Sequence, residues 1–218
     1  GSVFRSVRPP TSGCVPTWQV MAIVGRFDMA AMEPGSAEAV HIISEASRLA
    51  YADRNMFMAD SDFVDVPSKT LLSSAYVLER AKLIDESRTM IKAKAGKIPD
   101  QQGRYAPSEG LESQSTTHFT IVDDEGNVVT MTSSVETAFG SRQFVRGFFL
   151  NNQLTDFSFI PQRGGIPIAN RVEPGKRPRS SMSPVIVCTG RYWGGPVLTA
   201  LGPPGAPPPI HEAAPTSG

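Results

Sequence analysis

The residue types able to do chemistry gather in the second half of this chain. Ser115-Thr116-Thr117-His118-Phe119-Thr120-Ile121-Val122-Asp123 opens on two adjacent threonine hydroxyls. A threonine hydroxyl is a weak nucleophile at neutral pH and needs a base beside it. On composition alone, Thr116 and Thr117 read as ordinary β-formers at a strand start. Further on, Ser180 and Ser181 set two hydroxyls side by side, which suits an acceptor with two oxygens. A polar turn after Pro178 would also place serines there. Asp60-Ser61-Asp62-Phe63-Val64-Asp65-Val66-Pro67 has the look of a calcium loop, but it lacks the central glycine and the closing glutamate. It reads as a turn, and no metal site is expected.

Elements that would position these groups follow from periodicity. Phe119 and Ile121 fall on one face of a strand, and His118, Thr120 and Val122 on the other. Asp124-Glu125-Gly126-Asn127 is a turn signal, and Val128–Thr132 reads as the returning strand. Upstream, a buried helix is expected to start at Trp18–Val24, with Pro34 and Gly35 as interruptions. Ser36 can cap a longer helix from Ala37 to about Asn55, with Ala39, Ile42, Ile43, Ala46, Leu49 and Ala50 inward. Glu38, His41, Ser44 and Arg48 would face out, His41 as a solvated residue. A further helix capped by Ser73 or Ser74 runs to about Ile84, with Tyr76, Val77, Ala81 and Ile84 inward. Residues 92–112 turn polar and read as an exposed, mobile linker. Pro184–Cys188 and Pro196–Leu201 read as a hairpin around Gly190, followed by a Pro/Ala-rich tail expected to be disordered.

Composition bounds the class. The chain has 218 residues, enough for one large domain or two small ones. A hydrophobic content of 40% and a charged content of 19% suit a globular protein. Lys+Arg and Asp+Glu both number 21, so nothing suggests a nucleic-acid footprint. No apolar run approaches the length of a transmembrane helix, and the amino terminus has no signal-peptide pattern. It reads as a chain that starts mid-protein. Cys14 and Cys188 are compatible with free thiols or one bridge, and free thiols are expected.

Four blocks, TTHFTIVDDEGNVV, ETAFGSR, GFFLNNQLTDFS and PGKRPRSSMSP, occur in an order and at a spacing that strongly resembles the γ-glutamyltransferase (γ-glutamyltranspeptidase, glutathione hydrolase) family. The resemblance implies an α+β, N-terminal-nucleophile (Ntn) hydrolase fold, an αββα sandwich incomplete in this chain. It implies self-cleavage between Ser115 and Thr116, with Thr116 as nucleophile. Cleavage would free an α-amine on the residue that carries the hydroxyl. Its reference pKa of roughly 7.7–8.0 leaves a useful neutral fraction as base. Residues 1–115 would then be the end of a large subunit, 116–206 the start of a small catalytic subunit, and 207–218 the tail. The two subunits would associate after the cut.

By the same resemblance Ser134 supports the nucleophile, where the family usually has Thr. Glu136, where Asn is common, would hold the α-ammonium of a γ-glutamyl group together with Gln153 and Asp156. Ser180 and Ser181 would donate to its α-carboxylate; the family's arginine for that group lies upstream of Gly1. Gly205 and Ala206 would line the oxyanion hole, although Ala206 replaces a glycine. Cys14 also stands where a second glycine is usual, a departure expected to disturb a tight turn. The loop 159–167 lacks the Tyr or Trp gate of some members, which favours hydrolysis over transfer. The implied substrates are glutathione and related γ-glutamyl amides, with no cofactor, in the periplasm or outside the cell. The alternatives are a cephalosporin-acylase-like amidohydrolase of the same superfamily and an inactive fragment.

Overall fold

A computed structural model describes residues 2–108, 116–189 and 197–199. The chain divides into two compact units, each discontinuous in sequence. One, the helical unit, comprises Arg8–Glu112 and Leu154–Ser181; the other, the strand unit, comprises Gly1–Val7, Ser113–Gln153 and Met182–Gly218.

The helical unit is built on α1 (Cys14–Val24), α2 (Ala37–Phe57), α3 (Ser68–Leu71) and α4 (Ser74–Ala81). Helix α1 starts four residues before Trp18. Pro16 falls in its first turn, where helical N–H groups have no intrahelical partner and a proline costs nothing. Cys14 is the first helical residue and Gly13 before it has an ordinary φ of −61°. Neither residue takes a positive φ, so no glycine is required at Cys14. Helix α1 stops at Gly25, ahead of Pro34.

Helix α2 begins where its cap predicts: Ser36 Oγ accepts from the Ala39 N–H at 3.2 Å. Ile42, Ala46 and Leu49 join Ile23, Val77, Ala81 and Ile84 in the main core cluster. Ile43 is instead 45% exposed, because it lies one residue, about 100°, past Ile42 at the edge of the buried stripe. His41 is half-buried, and its Nε2 lies 2.8 Å from the Asp85 carbonyl rather than in solvent. Ser73 caps α4 through the Tyr76 N–H at 3.3 Å.

The segment read as an exposed linker is packed as far as Ser108. Arg80 Nη2 donates to the Lys94 carbonyl at 2.7 Å, and the Gly96 N–H to Asp53 Oδ1 at 2.8 Å. Ile98 and Ala106 are buried. The Ser108 N–H reaches the Asn55 carbonyl at 2.8 Å. Its polar composition concealed this, because the anchoring is shared between backbone hydrogen bonds and a few scattered apolar side chains. Residues 109–112 lie outside the described residues.

In the strand unit, β1 (Ser2–Ser6), β8 (Val185–Thr189) and β9 (Val197–Thr199) form an antiparallel sheet in the order β1-β8-β9. The β8–β9 pair matches the expected hairpin; β1 was not anticipated. Strands β2 (Thr117–Val122) and β3 (Val128–Ser133) pair antiparallel from Thr117↔Ser133 to Val122↔Val128. Asp123 closes their turn: its Oδ1 accepts from the Glu125 and Asn127 N–H groups at 3.0 and 2.8 Å. Phe119, Ile121, Val129 and Met131 share the exposed face, while His118, Thr120, Thr130 and Thr132 lie on the half-buried one. Strands β4 (Phe144–Val145) and β5 (Phe148–Phe149) make a second short hairpin.

The loop 159–167 belongs to the helical unit. There β6 (Gln162–Arg163) and β7 (Ile166–Pro167) pair around Gly164 and Gly165, whose φ values are 58° and 79°. Two consecutive positive φ angles are what a tight two-residue hairpin requires. Cys14 and Cys188 are both free thiols.

Candidate active site

The register of β2 and β3 sets the first cluster. Since Thr117 faces Ser133, the flanking residues 116 and 134 face each other just beyond the ladder. Thr116 Oγ1 donates to Ser134 Oγ at 3.3 Å. The Glu136 N–H donates to the same Ser134 oxygen at 2.9 Å. Next along that face, His118 Nδ1 lies 2.8 Å from Thr132 Oγ1, and its Nε2 lies 3.3 Å from Thr130 Oγ1. Burial pushes the His118 pKa below the usual imidazole value, which favours the neutral ring. His118 thus ties the two strands together beneath the Thr116–Ser134 pair.

After Ser134 the chain enters a compact loop in left-handed conformations. Glu136 has φ 77°, Phe139 65° and Arg142 62°. Such angles are disfavoured for residues with a Cβ and persist only where surrounding contacts hold them. Here Asn152 is the clasp. Its Oδ1 accepts from both the N–H and the Oγ1 of Thr137 at 3.1 Å, and its own N–H reaches the Val135 carbonyl at 3.2 Å. The Ser141 N–H adds a 2.9 Å bond to the Leu150 carbonyl. The Gln153 N–H is held at 3.1 Å by Asn151 Oδ1. Asn152 stood inside a motif block without an assigned part; two polar atoms on one carbonyl could not be read from sequence.

The second cluster lies within the helical unit. Ser180 makes a parallel bridge with Thr11. The Ser180 carbonyl accepts from both the N–H and the Oγ of Ser12, each at 2.7 Å. Arg54, 3% exposed, donates through Nε to Ser12 Oγ at 2.7 Å and through Nη2 to Ser181 Oγ. Arg179 Nη1 in turn donates to the Arg54 carbonyl at 3.1 Å. Just ahead of this segment, the buried Asp60 carboxylate accepts from Arg177 N, Nε and Nη2 at 2.9, 2.9 and 2.6 Å. These bonds hold its pKa down at about 2. Asp60 is therefore an anchor of the 176–181 segment. Among the described residues no group of three or more His, Cys, Asp or Glu is placed to hold a metal.

The Asp156 carbonyl accepts from Asn170 Nδ2 at 2.7 Å. Gln153 and Asp156 delimit one short 3₁₀ turn, and the division between the units falls inside it. The structure thus brings Thr116, Ser134 and Glu136 together in one unit, and Ser180 and Ser181 together in the other. Ser115, Gly205 and Ala206 lie outside the described residues.

The Gamma-glutamyltranspeptidase family matches residues 2–213. The chain belongs to that family. It is 40% identical over 215 residues to the glutathione hydrolase proenzyme of Bacillus subtilis strain 168, covering 94% of this chain and 35% of that protein. To the glutathione hydrolase proenzyme of Escherichia coli K12 it is 39% identical over 204 residues, covering 88% of this chain and 33% of that protein. The chain therefore spans about a third of the length of these relatives. The crystal structure of cephalosporin acylase from Bacillus halodurans superposes with a TM-score of 0.63 at 22% identity, over 86% of this chain and 30% of that one. That likeness identifies the α+β N-terminal-nucleophile hydrolase fold, present here in part.

Proposed function

We propose that this chain carries the nucleophile and part of the donor pocket of a self-processing γ-glutamyl acyltransferase/hydrolase that acts on glutathione and related γ-glutamyl amides. The observation that carries the reading is the Thr116 Oγ1 to Ser134 Oγ contact of 3.3 Å, in a chain of this family. Scission of the Ser115–Thr116 bond converts the Thr116 peptide nitrogen, which has no basic lone pair, into an amine. That amine takes the Oγ1 proton as the oxygen attacks the γ-carbonyl. Collapse of the tetrahedral intermediate passes the proton to the leaving amine and leaves an acyl ester on Thr116. Water or an acceptor amine then releases the γ-glutamyl group. Glu136, Gln153 and Asp156 hold the α-ammonium, Ser180 and Ser181 the α-carboxylate, and Gly205 and Ala206 the oxyanion.

Two features support the association of the halves after the cut. In the strand unit, β1 before residue 115 pairs with β8 after it, from Ser2↔Thr189 to Ser6↔Val185. In the helical unit, Asp60 and Arg54 precede the cut while their partners Arg177 and Ser181 follow it. Each unit thus contains both products. The family resemblance alone supports a location outside the cytosol. Among the described residues no helix is long and apolar enough to cross a membrane.

The test is intact mass and amino-terminal sequencing of the incubated protein, beside Thr116→Ala. A new terminus at Thr116, absent in the variant, is the expected result. A wild-type chain that stays uncut overturns the assignment of Thr116.

A further inference from the structure

We infer that Arg54 is the positioning residue of the carboxylate-binding serines: it fixes the direction in which the Ser181 hydroxyl donates. The inference deepens the proposed function and rests on it. A guanidinium has donors and no acceptor. Ser181 Oγ therefore accepts from Arg54 Nη2, and its own proton is turned away from the guanidinium, free to donate to an anion. Without that cation the hydroxyl could offer a lone pair to the substrate instead, which would repel a carboxylate.

The same side chain also sets the backbone. Arg54 Nε holds Ser12 Oγ at 2.7 Å, and Ser12 then grips the Ser180 carbonyl with both its N–H and its hydroxyl. One planar fork thus orients the hydroxyl of Ser181 and the main chain of Ser180. The fork is anchored in the last turn of α2 and buried to 3% exposure. A charge this close behind a hydroxyl also strengthens that hydroxyl as a donor to an anion. Arg54 reaches the substrate only through Ser181 and Ser180 in this arrangement, so its effect is confined to donors that carry an α-carboxylate. A lysine would keep the charge but lacks the two-pronged geometry.

The experiment compares γ-glutamyl-p-nitroanilide with 4-aminobutyryl-p-nitroanilide, the same donor without its α-carboxylate, in the processed protein. Arg54→Lys is expected to raise KM for the γ-glutamyl donor about ten-fold, the loss of one bond to a charged group. For the 4-aminobutyryl donor kcat/KM should stay within about two-fold, since it never used that bond. In an Arg54→Lys/Ser181→Ala double variant the lysine should add no more than the roughly three-fold loss of the Ser12 arm, because its other arm acts through the missing hydroxyl. Ser12→Ala, a milder change, should shift the donor ratio in the same direction by about three-fold, and it carries the test should Arg54→Lys not fold. Equal losses on both donors, an unchanged donor ratio, or additive effects in the double variant overturn the inference. A wild-type protein that cleaves neither donor overturns the proposed function, and the inference falls with it. A wild type active on the γ-glutamyl donor with an unaffected ratio in the variants overturns the inference alone.

Discussion

Replacing Arg177 with methionine isolates the anchor of the 176–181 segment. Asp60 has a side chain only 1% exposed, whereas Arg177 is 53% exposed. The carboxylate accepts three bonds from Arg177 and one, at 3.2 Å, from the Asp62 N–H. These donors, Arg177 first, lower the Asp60 pKa from 3.8 to about 2. At about 1.4 kcal/mol per unit, the shift corresponds to about 2 kcal/mol, reduced to about 1–2 by solvent around the exposed guanidinium. Because the folded pKa is the depressed one, this stabilisation is present above the unfolded pKa. It is lost as pH falls from about 4 to about 2. Arg177→Met removes the side-chain donors and leaves a buried carboxylate with only backbone partners. The expected cost at pH 7 is about 2–3 kcal/mol. The folded Asp60 pKa should rise, so the variant should lose less stability on acidification than the parent. Trp18 packs against the main core cluster of the helical unit. Urea unfolding followed by Trp18 fluorescence in a Trp193→Phe background, from pH 7 to pH 2, measures both quantities. Carboxylates common to both proteins cancel in the difference profile. Equal midpoints at pH 7, or parallel acid profiles, would refute the assignment of Asp60 to Arg177.

Two further perturbations probe the loop after Ser134. Glu136→Asn should raise stability by about 1 kcal/mol, because Asn tolerates the left-handed φ of 77° better than Glu. It should also raise KM for a γ-glutamyl donor about five-fold as the charge proposed to face the α-ammonium is lost. A less stable variant refutes the strain argument, and an unchanged KM refutes the ammonium contact. Gly140→Ala would set a Cβ 2.2 Å from the Leu150 carbonyl oxygen at a φ of +53°. It should abolish activity and expose the Ser141 and Leu150 amides to hydrogen exchange while the Trp18 unfolding midpoint stays put. Retained protection there would show that the loop absorbs the methyl and that the clasp is weaker than its geometry.

Local signals carried much of the fold. Ser36 and Ser73 capped the helices they precede, and the alternation around Phe119 and Ile121 gave the faces of β2. The family blocks supplied the fold class. What escaped was non-local. Strand β1 pairs with β8 from the far end of the chain, Ser2 with Thr189 and Ser6 with Val185, and five ordinary residues, Ser2–Ser6, bear no mark of that partner. Asp60 and Asp62 suggested a failed cation loop, because only the fold brings up Arg177 as their counter-charge. Among site residues, Ser134 was reachable through the family resemblance, whereas Asn152 and Ser12 act through bonds whose partners no spacing rule connects.

Helix α2 shows why its sequence read as a plain amphipathic core helix and yet does more. Glu45, Asp53 and Arg54 are all nearly fully buried, and each charge has a task distant in sequence. Glu45 Oε2 accepts the Met90 N–H at 2.9 Å, and Asp53 Oδ1 the Gly96 N–H at 2.8 Å. Two buried acceptors on one helix thus help to order a polar segment whose few apolar residues, Ile98 among them, are buried. Arg80, 3.1 Å from Asp53, offsets the burial that raises the Asp53 pKa. Adjacent helical residues point about 100° apart, so Arg54 leaves that network and meets Ser12 and Ser181 instead. One helix therefore fixes the segment leading toward the proposed scission point on one side and the proposed carboxylate pair on the other. Amphipathic periodicity records neither task, because it counts where side chains are buried and not what they bind there.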